Sequence, residues 1–228
     1  MIEAKGLFNE AMNYRWITFN PMASIRLPKV KVKRKRITLQ QFKLIAQDCK
    51  GNSPPWVWHM LMLAVLTGQR RSDLMKMKFS DIWDEDGEKY LHITQSKTGS
   101  LVSIPLDLKC EELGLTIQEI VESCKSYYKT PSELLIRKTN GGELIDSSLS
   151  FRFMEVRNRV FPEMQHDLTA FSLHELRSLS ERLYRDQGID TRILLGHTTQ
   201  RMTDMYNNAR GIEEKTWKKV RVGKKKAE

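Results

Sequence analysis

Residues Trp56 to Leu66 are apolar on nearly every side, and the chain frames them with Pro54-Pro55 before and Gly68 after. A surface helix carries one apolar stripe, whereas a helix apolar all round belongs in a core. The proline pair suits a first helical turn and the glycine a left-handed stop. His59 interrupts the run, which also falls short of the roughly 18 residues of a membrane span. The stretch predicts a buried central helix within a chain of 228 residues, long enough for one large domain with an appendage. Arg70 and Arg71 follow the stop at once, and Ser72-Asp73-Leu74 begins another short helix. Arg70 is thus held by a tight turn against the most buried helix. The plain alternative for Arg70 is a partner for the helix dipole.

The other elements are read in the same way. Ala4 to Arg15 suits a helix with Leu7, Ala11 and Tyr14 on one stripe, broken at Asn20-Pro21. Thr38 can cap a helix running to Cys49, and Gly51 to Pro55 is a loop. Lys89 to Gln95 and Leu101 to Leu106 alternate with period two around Ser96-Lys97-Thr98-Gly99-Ser100. That pattern predicts a β-hairpin with Lys97 at its tip, and a solvated turn lysine is the plain reading of that residue. His92 in its first strand reads as structural. Ile117 to Tyr128 suits a helix, Leu134 to Ile136 a short strand, Gly141-Gly142 a turn, and Ser148 to Val160 a helix carrying Arg152, Arg157 and Arg159. The expected fold class is mainly α with a small antiparallel β-sheet (α+β). No core-sized apolar content precedes Ile37, so 1–36 reads as an arm and 37–228 as the compact domain.

Three consecutive segments then carry chemistry. Ser172 and Glu175 form a capping-box pattern ahead of Leu173, Leu176, Leu179 and Leu183, and Gly188 supplies a stop. On such a helix His174 and Arg177 share a face near a positive dipole end, which suits an anion. Asp190 can cap a short helix through Leu195 that Gly196 ends, placing His197 at the turn. A third helix from Thr199 would use Met202, Met205, Tyr206 and Ala209 as its apolar stripe. Each signal alone has a bland explanation: a surface His–Arg face, an ordinary turn, a core tyrosine. Their order and spacing point to a converging His–Arg pair, a His and a Tyr.

Composition narrows the partners. The formal net charge is +10, with a dense run at Lys29, Lys31, Lys33, Arg34, Lys35 and Arg36 and a shorter one at Lys224 to Lys226. Clustered lysine and arginine favour a polyanion, because binding releases its counterions. Cys49, Cys110 and Cys124 are odd in number and lack metal-ligand spacing, so no disulfide framework, zinc site or other metal is expected. There is no signal-peptide pattern at Met1 to Glu10.

With these stretches together, the chain resembles the catalytic domain of tyrosine recombinases, specifically lambda-like phage integrases. The matching stretches are Leu66-Thr67-Gly68-Gln69-Arg70 with Asp73-Leu74, Gln95-Ser96-Lys97-Thr98-Gly99, His174-Glu175-Leu176-Arg177, Leu195-Gly196-His197 and Tyr206. The resemblance covers roughly Ile37 to Val222. It implies that 1–36 is the remnant of a core-binding helix plus a basic interdomain linker, whose lysines and arginines cross DNA phosphates.

The same resemblance implies a site-specific DNA recombinase that works through a 3′-phosphotyrosyl intermediate. Tyr206 is the implied nucleophile, Arg70 and Arg177 the phosphate clamps, and His197 a further phosphate hydrogen bond. His174 is the implied proton acceptor or phosphate ligand and Lys97 the general acid, with Asp73 orienting Arg70 or His174. Neither cofactor nor metal is implied. The implied partners are double-stranded attachment or core-site DNA, a homotetramer on paired sites formed from free monomers, and host or phage DNA-bending proteins. No membrane is involved, and the implied location is the bacterial cytoplasm, at the nucleoid. The competing readings are a truncated, recombination-inactive DNA-binding relic or regulator, and a relaxing enzyme of type IB topoisomerase character. Tyr184 is the rival nucleophile, but it lies ~15 Å along the helix from His174.

Overall fold

Helix α3, Pro55–Thr67, is the element against which α2 (Leu39–Asn52), α5 (Ile117–Tyr127), α6 (Asp146–Val160) and α7 (Glu175–Asp186) pack. The computed structural model describes residues 2–25, 34–127 and 133–206. In α3 every residue from Trp56 to Thr67 except Trp58 is buried, as its unbroken apolar character requires. Pro55 occupies the first turn, and Gly68 ends the helix with φ 64°. Helix α2 begins with a reciprocal capping box: the Thr38 hydroxyl accepts from the Gln41 amide, and the Gln41 side chain accepts from the Thr38 amide.

The chain divides into two compact units, Met1–Lys33 and Arg34–Glu228. In the first, helix α1 (Ile2–Asn13) is tied to the following turn by Asn20, whose amide donates to the Lys5 carbonyl and the Asn9 side chain. Leu7 and Tyr14 of the expected stripe are exposed, at 70% and 66%. The stripe therefore covers no core within that unit.

Among its described residues the second unit holds two small antiparallel sheets. In the larger, β1 (Ile82–Glu85) pairs with β2 (Glu88–Thr94), and β2 with β3 (Leu101–Pro105), in the order β1-β2-β3. Leu91 stands opposite Ile104 and Ile93 opposite Val102, and these four turn inwards. The hairpin expected from period-two alternation is present. Strand β1 was not expected, although Asp86-Gly87, both at positive φ, supplies the turn chemistry that links it to β2. His92 is structural, as expected: it stacks on Trp83 and meets the Ser103 hydroxyl.

The smaller sheet pairs β4 (Lys109–Cys110) with β5 (Leu115–Thr116), two-residue strands too short to show a period. The expected strand at 134–136 is instead a single bridge, Leu134 to Lys78. Among the described residues the unit also has three short helices, α4 (Arg71–Leu74), α8 (Thr191–Leu194), capped by Asp190, and α9 (Gln200–Asp204). Cys49, Cys110 and Cys124 are free and buried. Among the described residues no helix is long and apolar enough to cross a membrane, and no His/Cys/Asp/Glu group is arranged to hold a metal.

Gly68 joins this core to the segments that follow. A Cβ there would stand 2.7 Å from Leu195 Cδ2 and 2.9 Å from Ser180 Oγ, on a backbone that only glycine adopts freely. Gly68→Ala is therefore expected to lower unfolding free energy by about 2–4 kcal/mol, from left-handed strain plus overpacking. Urea unfolding of the two proteins measures it. A loss under about 0.5 kcal/mol, the level of an ordinary surface change, would contradict the packing described.

Candidate active site

The onset of α7 differs from the capping pattern in its sequence. The helix begins at Glu175, after a turn at Ser172–His174 in which the amides of Glu175, Leu176 and Arg177 bond three residues back. The Ser172 hydroxyl accepts from Arg34 at 3.2 Å, and the Glu175 carboxylate accepts from Arg36 at 2.7 Å. Both halves of the expected capping box are thus engaged by arginines that precede α2. His174 and Arg177 remain one turn apart, as anticipated.

Arg177 is the centre of the site. Its side chain is 1% exposed. Nη1 donates to the Gly68 carbonyl at 2.7 Å, and Nη2 donates to the Leu195 carbonyl at 2.6 Å and to His197 Nε2 at 3.0 Å. Nε is buried and has no hydrogen-bond partner. Burial pulls the Arg177 pKa down to about 10, and the charge of Arg70 pulls the same way. The group stays protonated at neutral pH, which a lysine so placed would struggle to do.

His197 accepts at Nε2 from Arg177, so its proton belongs on Nδ1, which faces Thr203 Oγ1 at 3.0 Å. Burial, then the charges of Arg177 and Arg70, push its pKa down to about 4. The imidazole is therefore neutral. Thr203, not the methionines of the expected stripe, is the inward residue of α9; Met205 is 64% exposed. Ala209 lies outside the described residues.

Tyr206 packs onto this pair. Its ring stacks on His197 at 5.5 Å between centroids and 22° between planes, with the Arg177 guanidinium carbon 5.7 Å from its centre. Its hydroxyl stands 3.4 Å from His174 Nε2, a loose contact. Desolvation first, then the charges of Arg177, Arg70 and Arg36, hold His174 below the ordinary imidazole pKa, against the pull of Glu175. Tyr184, by contrast, is wholly buried, and its hydroxyl has no hydrogen-bond partner. Burial raises its pKa well above the ordinary phenol value.

Arg70 and the hairpin join the cluster through Gln95, which no charge-based reading of the sequence singles out. Gln95 Oε1 accepts from Arg70 Nη1 at 2.6 Å and from Thr98 Oγ1 at 2.9 Å, while Nε2 donates to Gln69 Oε1 and the Leu195 carbonyl. Gly196 makes room for it: a Cβ there would lie 2.7 Å from Gln95 Nε2. Lys97 is exposed at the hairpin tip, and the described hydrogen bonds between hairpin and cluster come from Gln95 and Ser96, not from its amine. Asp73 departs from expectation. Its Oδ1 accepts from the Ser96 amide at 2.8 Å and Oδ2 is buried without a partner, so it anchors the hairpin, and no described hydrogen bond joins its carboxylate to the Arg70 or His174 side chain.

The basic run also divides. Lys29, Lys31 and Lys33 lie outside the described residues. Arg34 and Lys35 are exposed, whereas Arg36 is 4% exposed and paired with Glu175. Arg36, one of the run's cations in the sequence, thus has its guanidinium engaged inside the domain. Arg34, Arg70, Arg71, Arg157, His174 and Arg177 line one cleft of about 720 Å³. Permanent cations, neutral imidazoles and a phenol beside such a cleft can bind a phosphate, stabilise its added charge and accept the phenol proton.

Residues 35–211 match the phage integrase family. The chain is 40% identical over 198 residues to the integrase of Enterobacteria phage P21, covering 85% of this chain and 50% of that protein. It is 37% identical over 217 residues to the integrase of Escherichia phage lambda, covering 94% of this chain and 58% of that protein. The chain thus spans about half the length of the curated relatives it matches. Its fold matches a lambda integrase(75-356) dimer bound to a COC' core site with TM-score 0.80 and 36% identity, covering 96% of this chain and 74% of that one. A lambda integrase tetramer bound to a Holliday junction matches with TM-score 0.79 and 34% identity, covering 96% and 60%. The lambda integrase catalytic core matches with TM-score 0.64 and 37% identity, covering 72% and 96%.

The imidazoles make stability depend on pH. His197 and the buried His59 both titrate at about 4 in the folded chain, against 6.5 for an ordinary imidazole. As pH falls, the unfolded state takes up these protons first. The stability they contribute is complete above about pH 6.5 and is lost as pH falls towards 4. Each is expected to remove on the order of 2 kcal/mol between pH 6.5 and 5. Urea unfolding across that interval tests this, with His197→Gln expected to flatten the slope. A pH-independent midpoint, or a slope unchanged by the substitution, would contradict the assignment.

Proposed function

The chain belongs to the phage integrase family, and on that premise we propose that it is a site-specific DNA recombinase that cleaves and rejoins strands through Tyr206. The observation that carries the proposal is the Tyr206 phenol lying between His174 and the Arg177–His197 pair. The phenol oxygen attacks the scissile phosphorus and its proton passes to neutral His174. An O–P bond forms to Tyr206, the bond from phosphorus to the 5′-oxygen breaks, and Lys97 gives that oxygen a proton. Arg70 and Arg177 hold the non-bridging oxygens as their charge grows. Return attack by a 5′-hydroxyl of another strand releases the tyrosine, so bond energy is conserved and no metal or nucleotide is required. His197 orients Arg177 and supports the phenol ring; for it to donate to the phosphate, Nε2 would have to carry the proton.

The proposed partners are duplex DNA at core sites, a tetramer on paired sites assembled from free monomers, and DNA-bending proteins of host or phage. The proposed location is the bacterial cytoplasm, at the nucleoid. Lys29, Lys31, Lys33, Arg34 and Lys35 are the proposed phosphate contacts of the linker, which makes affinity fall steeply with salt. An inactive DNA-binding relic would share the affinity and lack the chemistry, and nothing in the site's geometry favours it.

Nicked duplexes that trap a covalent product separate the two. The wild-type chain is expected to form a denaturant-resistant adduct in EDTA. Tyr206→Phe should form none, whereas Tyr184→Phe, which removes only an unpaired buried hydroxyl, should still form it. Lys97→Ala should fold and bind DNA yet cleave about 10²–10⁴-fold more slowly. A substrate with sulfur at the 5′-bridging position should restore its rate, because a thiolate leaves without a proton. Cleavage that needs added magnesium, or an adduct that survives Tyr206→Phe, would overturn the proposal.

A further inference from the structure

The reaction requires the Tyr206 phenol to be placed, and two hydrogen-bonded relays hold its backbone. Arg36 donates from Nη1 to Glu175 at 2.7 Å and from Nη2 to the Met205 carbonyl at 2.6 Å, with its guanidinium carbon 5.9 Å from the centre of the Tyr206 ring. On the other side, Ser178 Oγ donates to the Tyr206 carbonyl at 3.1 Å. Arg182 donates from Nη1 to Ser178 Oγ at 2.8 Å and from Nη2 to the Ile37 carbonyl at 2.6 Å. Two consecutive carbonyls, of Met205 and Tyr206, are thus held by relays that both lead back to Arg36-Ile37.

Stability alone gives little reason for such a pair. Arg36 and Glu175 are 4% exposed each, and a buried ion pair seldom exceeds its desolvation cost by much. A planar fork with one prong on a carboxylate and the other on a carbonyl fixes direction, which a lysine cannot do with one ammonium. Glu175, at the first position of α7, gives that fork a rigid base and a favourable helix end.

We infer that Arg36, braced by Glu175, is a positioning residue for the nucleophile: it docks the carbonyl preceding Tyr206 and ties the phenol's placement to the segment leading into α2. The kinetic consequence rests on Tyr206 being the nucleophile, whereas the docking does not, so the two are read separately. The full chain carrying 3-fluorotyrosine at position 206 alone reports docking by fluorine NMR without DNA, and the unlabelled chain reports adduct formation. The double variant Arg36→Met/Glu175→Gln removes both charges of the pair together. Its fluorine resonance is expected to move towards that of solvent-exposed fluorotyrosine, and adduct formation to slow by about tenfold or more, with DNA affinity and thermal unfolding close to wild type. Arg36→Lys keeps the ion pair but loses the fork and should fall between. An unchanged resonance and rate in the folded double variant would overturn the inference. If the double variant does not fold, an unchanged Arg36→Lys overturns it in the same way. A resonance that moves in a chain whose wild type forms no adduct would support the docking and overturn Tyr206 as nucleophile.

Discussion

One guanidinium, buried and met by neutral partners, is the interaction on which the remainder of the site depends. Arg177 draws the end of α3, the turn after α8 and His197 to one point through the Gly68 and Leu195 carbonyls and an imidazole nitrogen. None of those partners cancels its charge. The positive potential therefore survives burial, at the cost that pulls its pKa to about 10. That cost is tolerable for arginine, whose ordinary pKa leaves ample margin. Burial first, and then the charges of Arg177 and Arg70, keep His197 neutral and His174 below its usual pKa, so the cations sit beside two imidazoles able to accept a proton.

The close approach of these segments explains two glycines and two glutamines. Gly68 and Gly196 stand where any Cβ would strike a neighbour, Leu195 at one and Gln95 at the other. Gln95 and Gln69 fill the gap with amide groups that both donate and accept, which lets a cation, three carbonyls and a hydroxyl meet around them. Through Gln95 and through Asp73 the hairpin carrying Lys97 is fixed at its base while its tip stays exposed. A fixed base with a free tip suits the general-acid role proposed for Lys97.

Much of this was legible in the sequence because the signals were local. Proline, apolar run and glycine marked α3; alternation marked β2 and β3; Asp190 and Gly196 marked α8. The misses have physical causes. A capping box counts only if its side chains are not claimed elsewhere, and Arg34 and Arg36 claimed Ser172 and Glu175. A run of charges does not say which member turns inwards, so Arg36 was grouped with the exposed cations. Asp73 sits one turn from Arg70, and proximity in sequence suggested a partner that the backbone of Ser96 supplied instead. Gln95 is neutral and gives no electrostatic sign, although it lies inside a quoted motif. Strand β1 followed from Asp86-Gly87, a turn signal that was overlooked.

The central claim is that a phosphate meets Tyr206 in the field of Arg177. Mass spectrometry of the adduct tests it most directly. The chain would be mixed with a library of nicked duplexes, digested with protease and nuclease, and the nucleotide-bearing peptide sequenced. The account expects one peptide, containing Tyr206 with a 3′-linked nucleotide on the phenol oxygen. A nucleotide on any other residue, or no linked peptide from any duplex in the library, would contradict it.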